Sequence, residues 1–80
     1  MPVDIKILSR GDFIPEGDHV RVTTRLAENN SIVTDIICIV DNEPVKTITD
    51  RQLREEIAIQ RATQIADDHE VDVVYVQTEI

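Results

Sequence analysis

Three observations predict a small α+β domain, with one helix packed on one face of a small antiparallel sheet of about four strands, in the order β-β-β-(β)-α-β. The apolar residues are mostly β-branched, twelve Ile and ten Val against three Leu, and such side chains suit a pleated surface. Several stretches alternate apolar and polar residues with period two. One stretch near the C-terminus repeats at helical spacing instead. At 80 residues the chain reads as a single compact domain spanning 1–80.

The elements follow in order. Val3, Ile5 and Ile7 alternate with Asp4 and Lys6, a half-buried strand over residues 3–8. Residues 9–18 hold both glycines, Gly11 and Gly17, with Pro15 between them, and read as the one long loop. Residues 19–26 alternate again, with Val20, Val22, Thr24 and Leu26 opposite Arg21, Thr23 and Arg25. Glu28-Asn29-Asn30-Ser31 is a turn, because Asn tolerates left-handed backbone. Residues 32–40 form the third strand and complete a hairpin. After the turn signal Asp41-Asn42-Glu43-Pro44, residues 45–48 suit a short fourth strand, with Pro44 fitting an edge. Thr49 and Gln52 fit a capping box, and Asp50 favours the positive end of a helix running to about Asp68. No glycine marks where that helix ends. Residues 71–77 are the last strand.

The apolar pattern exceeds what one core needs. Ile32, Ile36, Cys38 and Val40 occupy one side of the third strand, and Val33, Ile37 and Ile39 the other. Either the long loop or the chain termini cover that second side, or another subunit does. On the helix, Leu53, Ile57, Ala58, Ile59, Ala62, Ile65 and Ala66 spread over more than half the circumference. Arg54 and Arg61, seven apart, fall on one line within that arc. Their stems can lie over the core edge, or their planar forks can clamp a carboxylate. The expected oligomer interface is therefore Val33, Ile37, Ile39, Arg54, Ile59 and Arg61.

The formal charge is −8, from 16 acids and 8 bases. Its distribution is uneven: residues 62–80 hold Asp67, Asp68, Glu70, Asp72 and Glu79 and no Lys or Arg. Asp67, Asp68, Glu70 and Asp72 form either a solvated rim or a partner-binding acidic patch. Adjacent helix positions point about 100° apart, so these acids with His69 do not converge on a metal, and a calcium loop's spacing is missing. Asp18-His19 with Glu16 has no nucleophile beside it. Cys38, in an apolar run, suits a buried hydrophobe better than a thiolate. The two glycines do not match a phosphate loop. Arg10-Gly11-Asp12 matches an integrin-binding tripeptide, but three residues carry little information.

His19, Arg21, Thr23 and Arg25 line a polar strand face that lacks aromatic stacking partners, and the overall negative field opposes nucleic acid. Pairing of these arginines with Asp35 on the neighbouring strand is the simpler expectation. The N-terminus has no long apolar region, and the longest apolar run, residues 36–40, is far below the roughly 20 residues of a membrane span. The expected setting is cytoplasmic, or virion and host cytoplasm if the protein is phage-encoded.

The sequence therefore predicts no enzyme, catalytic residue, metal or cofactor. It predicts a protein that binds protein and self-associates, such as a virion component or small accessory subunit, with no direct nucleic-acid or membrane contact. Two alternatives are an acidic phage-type inhibitor that mimics nucleic acid at a basic site, and a small-molecule-binding regulator using the 9–18 loop.

Overall fold

A computed structural model describes residues 3–9, 11–51 and 54–78. The elements are β1 (Asp4–Leu8), β2 (His19–Leu26), β3 (Ile32–Val40), β4 (Glu43–Arg51), α1 (Glu55–Asp68) and β5 (Val73–Thr78). The strands form one sheet in the order β1-β5-β2-β3-β4. The two hairpins, β2–β3 and β3–β4, are antiparallel, and β5 lies between β1 and β2, parallel to both. The fold is α+β as expected, but the sheet has five strands and is mixed. Period-two alternation identifies a strand without identifying its partner, and here α1 carries the chain back so that β5 inserts beside β1.

Local chemistry explains the turns. Ala27 N–H donates to the Ser31 carbonyl at 2.8 Å, with Asn30 at φ 58°. Asp41 and Asn42 both have positive φ, 55° and 63°, as a two-residue hairpin turn whose twist matches its strands requires. β4 is longer than residues 45–48: it pairs from Glu43 to Arg51, with Pro44 opposite Ile39 and a register shift that leaves Val45 as an extra residue. Consequently Thr49 is in a strand and does not cap the helix. Its hydroxyl donates to Asp35 Oδ1 at 2.7 Å. The N-cap is Arg54, with extended backbone and no side-chain cap. Gln52 and Leu53, with Arg10 and Glu79, lie outside the described residues.

The helix ends without glycine. Glu70 takes φ 58°, and two bonds, Glu70 N–H to Asp67 O (3.2 Å) and Val71 N–H to Ala66 O (2.7 Å), close a Schellman motif. Burial of Val71 anchors this turn against the core.

The core lies on the helix side of the sheet. Val20, Val22, Ile36, Cys38, Val74 and Val76 pack against Ala58, Ala62, Ile65 and Ala66. Alanines on the inner helix face let α1 approach the sheet closely. α1 lies over β2, β3 and β5 rather than over the outer strands, with Ile48 of β4 packing against the edge of the core. On the opposite face, the connection from Leu8 to His19 must travel the length of the sheet, because β1 and β2 run the same way. Gln77 holds it there, donating from Nε2 to the Ser9 and Asp12 carbonyls at 3.1 and 3.0 Å. At the other end His19 Nδ1–H donates to Gly17 O at 2.8 Å, and its ring meets Tyr75 edge-on at 5.5 Å. Tyr75 and Gln77 are thereby buried on the face away from the helix.

Candidate functional site at the free β1 edge

The residues expected to form one interface lie on opposite faces. Val33, Ile37 and Ile39 are on the sheet face away from α1, whereas Ile59 and Arg61 are on α1 and Arg54 caps it. Val33 is already buried at 5% exposure. Its register neighbours are Arg25 and Arg51, whose methylene stems can flank it. Ile37 and Ile39 are half-buried. Arg61 forms an exposed 3.5 Å ion pair with Asp50, a contact worth little in water, and Arg54 is exposed at the helix start.

The exposed large apolar side chains are scattered: Phe13 in the connection, Leu26 and Ile32 at the β2–β3 turn, Val45 on β4, Ile57 on α1, and Ile5 and Ile7 together on β1. Among the described residues β1 is an edge strand, paired with β5 alone. Ile5 and Ile7 are on its helix-side face but beyond α1, 45% and 67% exposed. Beside them runs a groove of about 510 Å³ between β1 and α1, lined by Val3, Ile5, Ile59, Gln60, Thr63, Gln64 and Asp67. Of the expected interface residues, Ile59 alone lines it. The sequence signal for this site was the alternation of Val3, Ile5 and Ile7. What the sequence could not show was that β1 would lie at an edge, outside the helix.

Asp4 N–H donates to the Asp72 carbonyl at 2.9 Å. Backbone groups alternate along a strand, so those of Asp4, Lys6 and Leu8 point inward to β5, and those of Ile5 and Ile7 point outward to the free edge. The edge therefore presents unpaired backbone donors and acceptors beside exposed isoleucines.

The opposite face carries a smaller cleft of about 230 Å³, lined by Arg21, Thr23, Arg25, Asp35, Ile37 and Gln77. The expected pairing is present: Arg25 Nε donates to Asp35 Oδ2 at 2.7 Å. Burial acts to raise the Asp35 pKa, but hydrogen bonds from Arg25 and Thr49 and the charges of Arg25 and Arg21 prevail, holding it below the usual carboxylate value. Arg21 Nε is buried without a hydrogen-bond partner in the structure. Cys38 is buried, and burial together with the Asp18 charge raises its pKa, which keeps the thiol protonated at neutral pH.

Asp67, Asp68, Glu70 and Asp72 are all exposed at one end of the molecule. Strand directions bring the start of β1 with Asp4, and the β3–β4 turn with Asp41 and Glu43, to that same end. Among the described residues no three His, Cys, Asp or Glu side chains converge on a metal position. Asp12 of the tripeptide is engaged locally, its Oδ2 accepting from Ser9 N–H at 2.8 Å. No helix of the described residues is long and apolar enough to cross a membrane. Comparison with protein families, curated proteins and solved structures finds no match.

Proposed function

We propose that this is a non-enzymatic interaction and assembly protein that docks protein along the β1 edge and the adjoining β1–α1 groove. One observation carries the reading: an edge strand whose outward backbone groups and exposed Ile5 and Ile7 adjoin an apolar-floored groove. Such an edge is a template for strand addition, in which the main chain supplies affinity and side-chain pockets supply specificity. A virion component or small accessory subunit would use it this way. The role needs no cofactor. The test is molar mass by light scattering from about 10 µM to about 1 mM. A mass that rises with concentration supports assembly, and a strict monomer throughout counts against it.

A second reading rests on the acidic end. Asp67, Asp68, Glu70 and Asp72, joined there by Asp4, Asp41 and Glu43, would stand in for phosphates at a basic groove of a nucleic-acid enzyme. It requires salt-sensitive inhibition, and inhibition indifferent to charge reversal at the first four residues would sink it. The regulator reading has less support, because the 9–18 connection is tied down by hydrogen bonds from Gln77 and His19 and by one between Ser9 and Asp12.

A further inference from the structure

We infer that the occupant of the β1 edge is a second copy of this chain, paired antiparallel about a two-fold axis through Ile5. The inference rests on the assembly reading above and adds the partner, the strand and the register.

Backbone direction and charge together select the register. Ile5 and Ile7 point their backbone groups outward, so a two-fold partner must place outward-pointing residues opposite one another. Centring the pair on Asp4 puts Asp4 opposite the partner's Asp4. Centring it on Lys6 puts Lys6 opposite the partner's Lys6. Like charges directly opposite destabilise a strand pair. Centring on Ile7 sets Lys6 against the partner's Leu8 and gives neither Asp4 nor Lys6 an opposite charge within the strand. Centring on Ile5 sets Asp4 against the partner's Lys6 and, by symmetry, Lys6 against the partner's Asp4. These two pairs occupy the positions between hydrogen-bonded pairs, where opposed side chains come closest, about 4.5 Å between Cα atoms. Asp4 and Lys6 are both exposed and available.

The same register organises the apolar side. Ile5 meets the partner's Ile5, and Ile7 meets the partner's Val3, at the wall of the groove. Each of these pairs exchanges two backbone hydrogen bonds. The two sheets become one continuous sheet with both helices on the same side, and the two β1–α1 grooves face each other across the seam. Five paired residues make a small interface, so association belongs at high micromolar concentration.

The test uses the full chain at low ionic strength, with molar mass measured up to about 1 mM. Lys6→Asp and Asp4→Lys each place like charges across the seam, and each should weaken self-association at least roughly tenfold. The double variant D4K/K6D restores complementary charges and should self-associate like the wild type. An equimolar mixture of the two single variants should form the mixed dimer. An Ile5→Cys variant, at an exposed position that spares the core, should form an intersubunit disulfide on mild oxidation, because opposed Cα atoms about 5.5 Å apart lie within disulfide reach. Ile7→Cys should not, because its copies sit four residues apart, about 13 Å. A wild type that associates but ignores the charge swaps and cross-links no better at position 5 than at 7 overturns this register while leaving the assembly reading intact. A wild type that stays monomeric to about 1 mM overturns both.

Discussion

The two edges of the sheet are built differently. β4 is nine residues long and carries devices that discourage further pairing: Pro44, a register shift leaving Val45 extra, and the charge of Lys46. β1 has five residues, no proline and no bulge, and it places Ile5 and Ile7 beyond the cover of α1. Its charged residues oppose indiscriminate pairing, yet Asp4 and Lys6 satisfy each other in one register. A long edge is thus made unattractive to any strand, and a short edge is left open to one that matches it. The lesson is that exposed apolar area matters less than whether the neighbouring backbone is free to pair.

That contrast can be broken at several points. The largest effect belongs to Ile5→Lys on β1, which should abolish concentration-dependent association, while Val45→Lys on β4, at similar exposure, should leave it unchanged. Equal effects in light scattering would erase the distinction between the edges. Next is Ile36→Ala in the fully buried centre of the sheet. It should cost about 2–5 kcal/mol of stability in denaturant unfolding, without a change in interface preference among molecules that stay folded.

A smaller effect, about 1 kcal/mol, is expected for Asp35→Asn, which weakens the Arg25–Asp35–Thr49 link between β2, β3 and β4. Arg25 is 45% exposed, which limits the contribution. The folded pKa of Asp35 is lowered, so its stabilisation is present above the unfolded value near 3.9 and is lost as pH falls through the folded value. The gap between variant and wild type should therefore be full at neutral pH and close below about pH 4 in pH-dependent melts. The smallest effect is Glu70→Gly, which relieves a left-handed non-glycine residue and should stabilise by up to about 1 kcal/mol in thermal unfolding.

Much of the fold was legible in residue pattern. The bounds of β2 and β3 follow directly from alternation and the Asn29–Asn30 turn, and the Arg25–Asp35 pair follows from hairpin adjacency. Three features were not legible, each for a physical reason. The helix ends at Asp68 as expected, but its closing residue, a left-handed Glu70 in place of the usual glycine, carries no sequence signal. Thr49 has the chemistry of a cap but uses its hydroxyl across the sheet. The free edge arises because β5 inserts between β1 and β2, a long-range pairing that no local spacing encodes. Of the apolar residues expected at an interface, Val33 is buried and Ile37 and Ile39 are half-buried, whereas Ile5 and Ile7 of β1, not in that set, are exposed.

The most direct test of the β1 edge as the docking surface is amide hydrogen exchange, residue by residue, at low and high protein concentration. The Ile5 and Ile7 amides point to the free edge, so they should exchange as unpaired groups when dilute and gain protection as concentration rises, while Lys6, already bonded to β5, changes little. Ile5 and Ile7 amides that remain unprotected at every concentration, or a gain in protection confined to β4, would contradict the account.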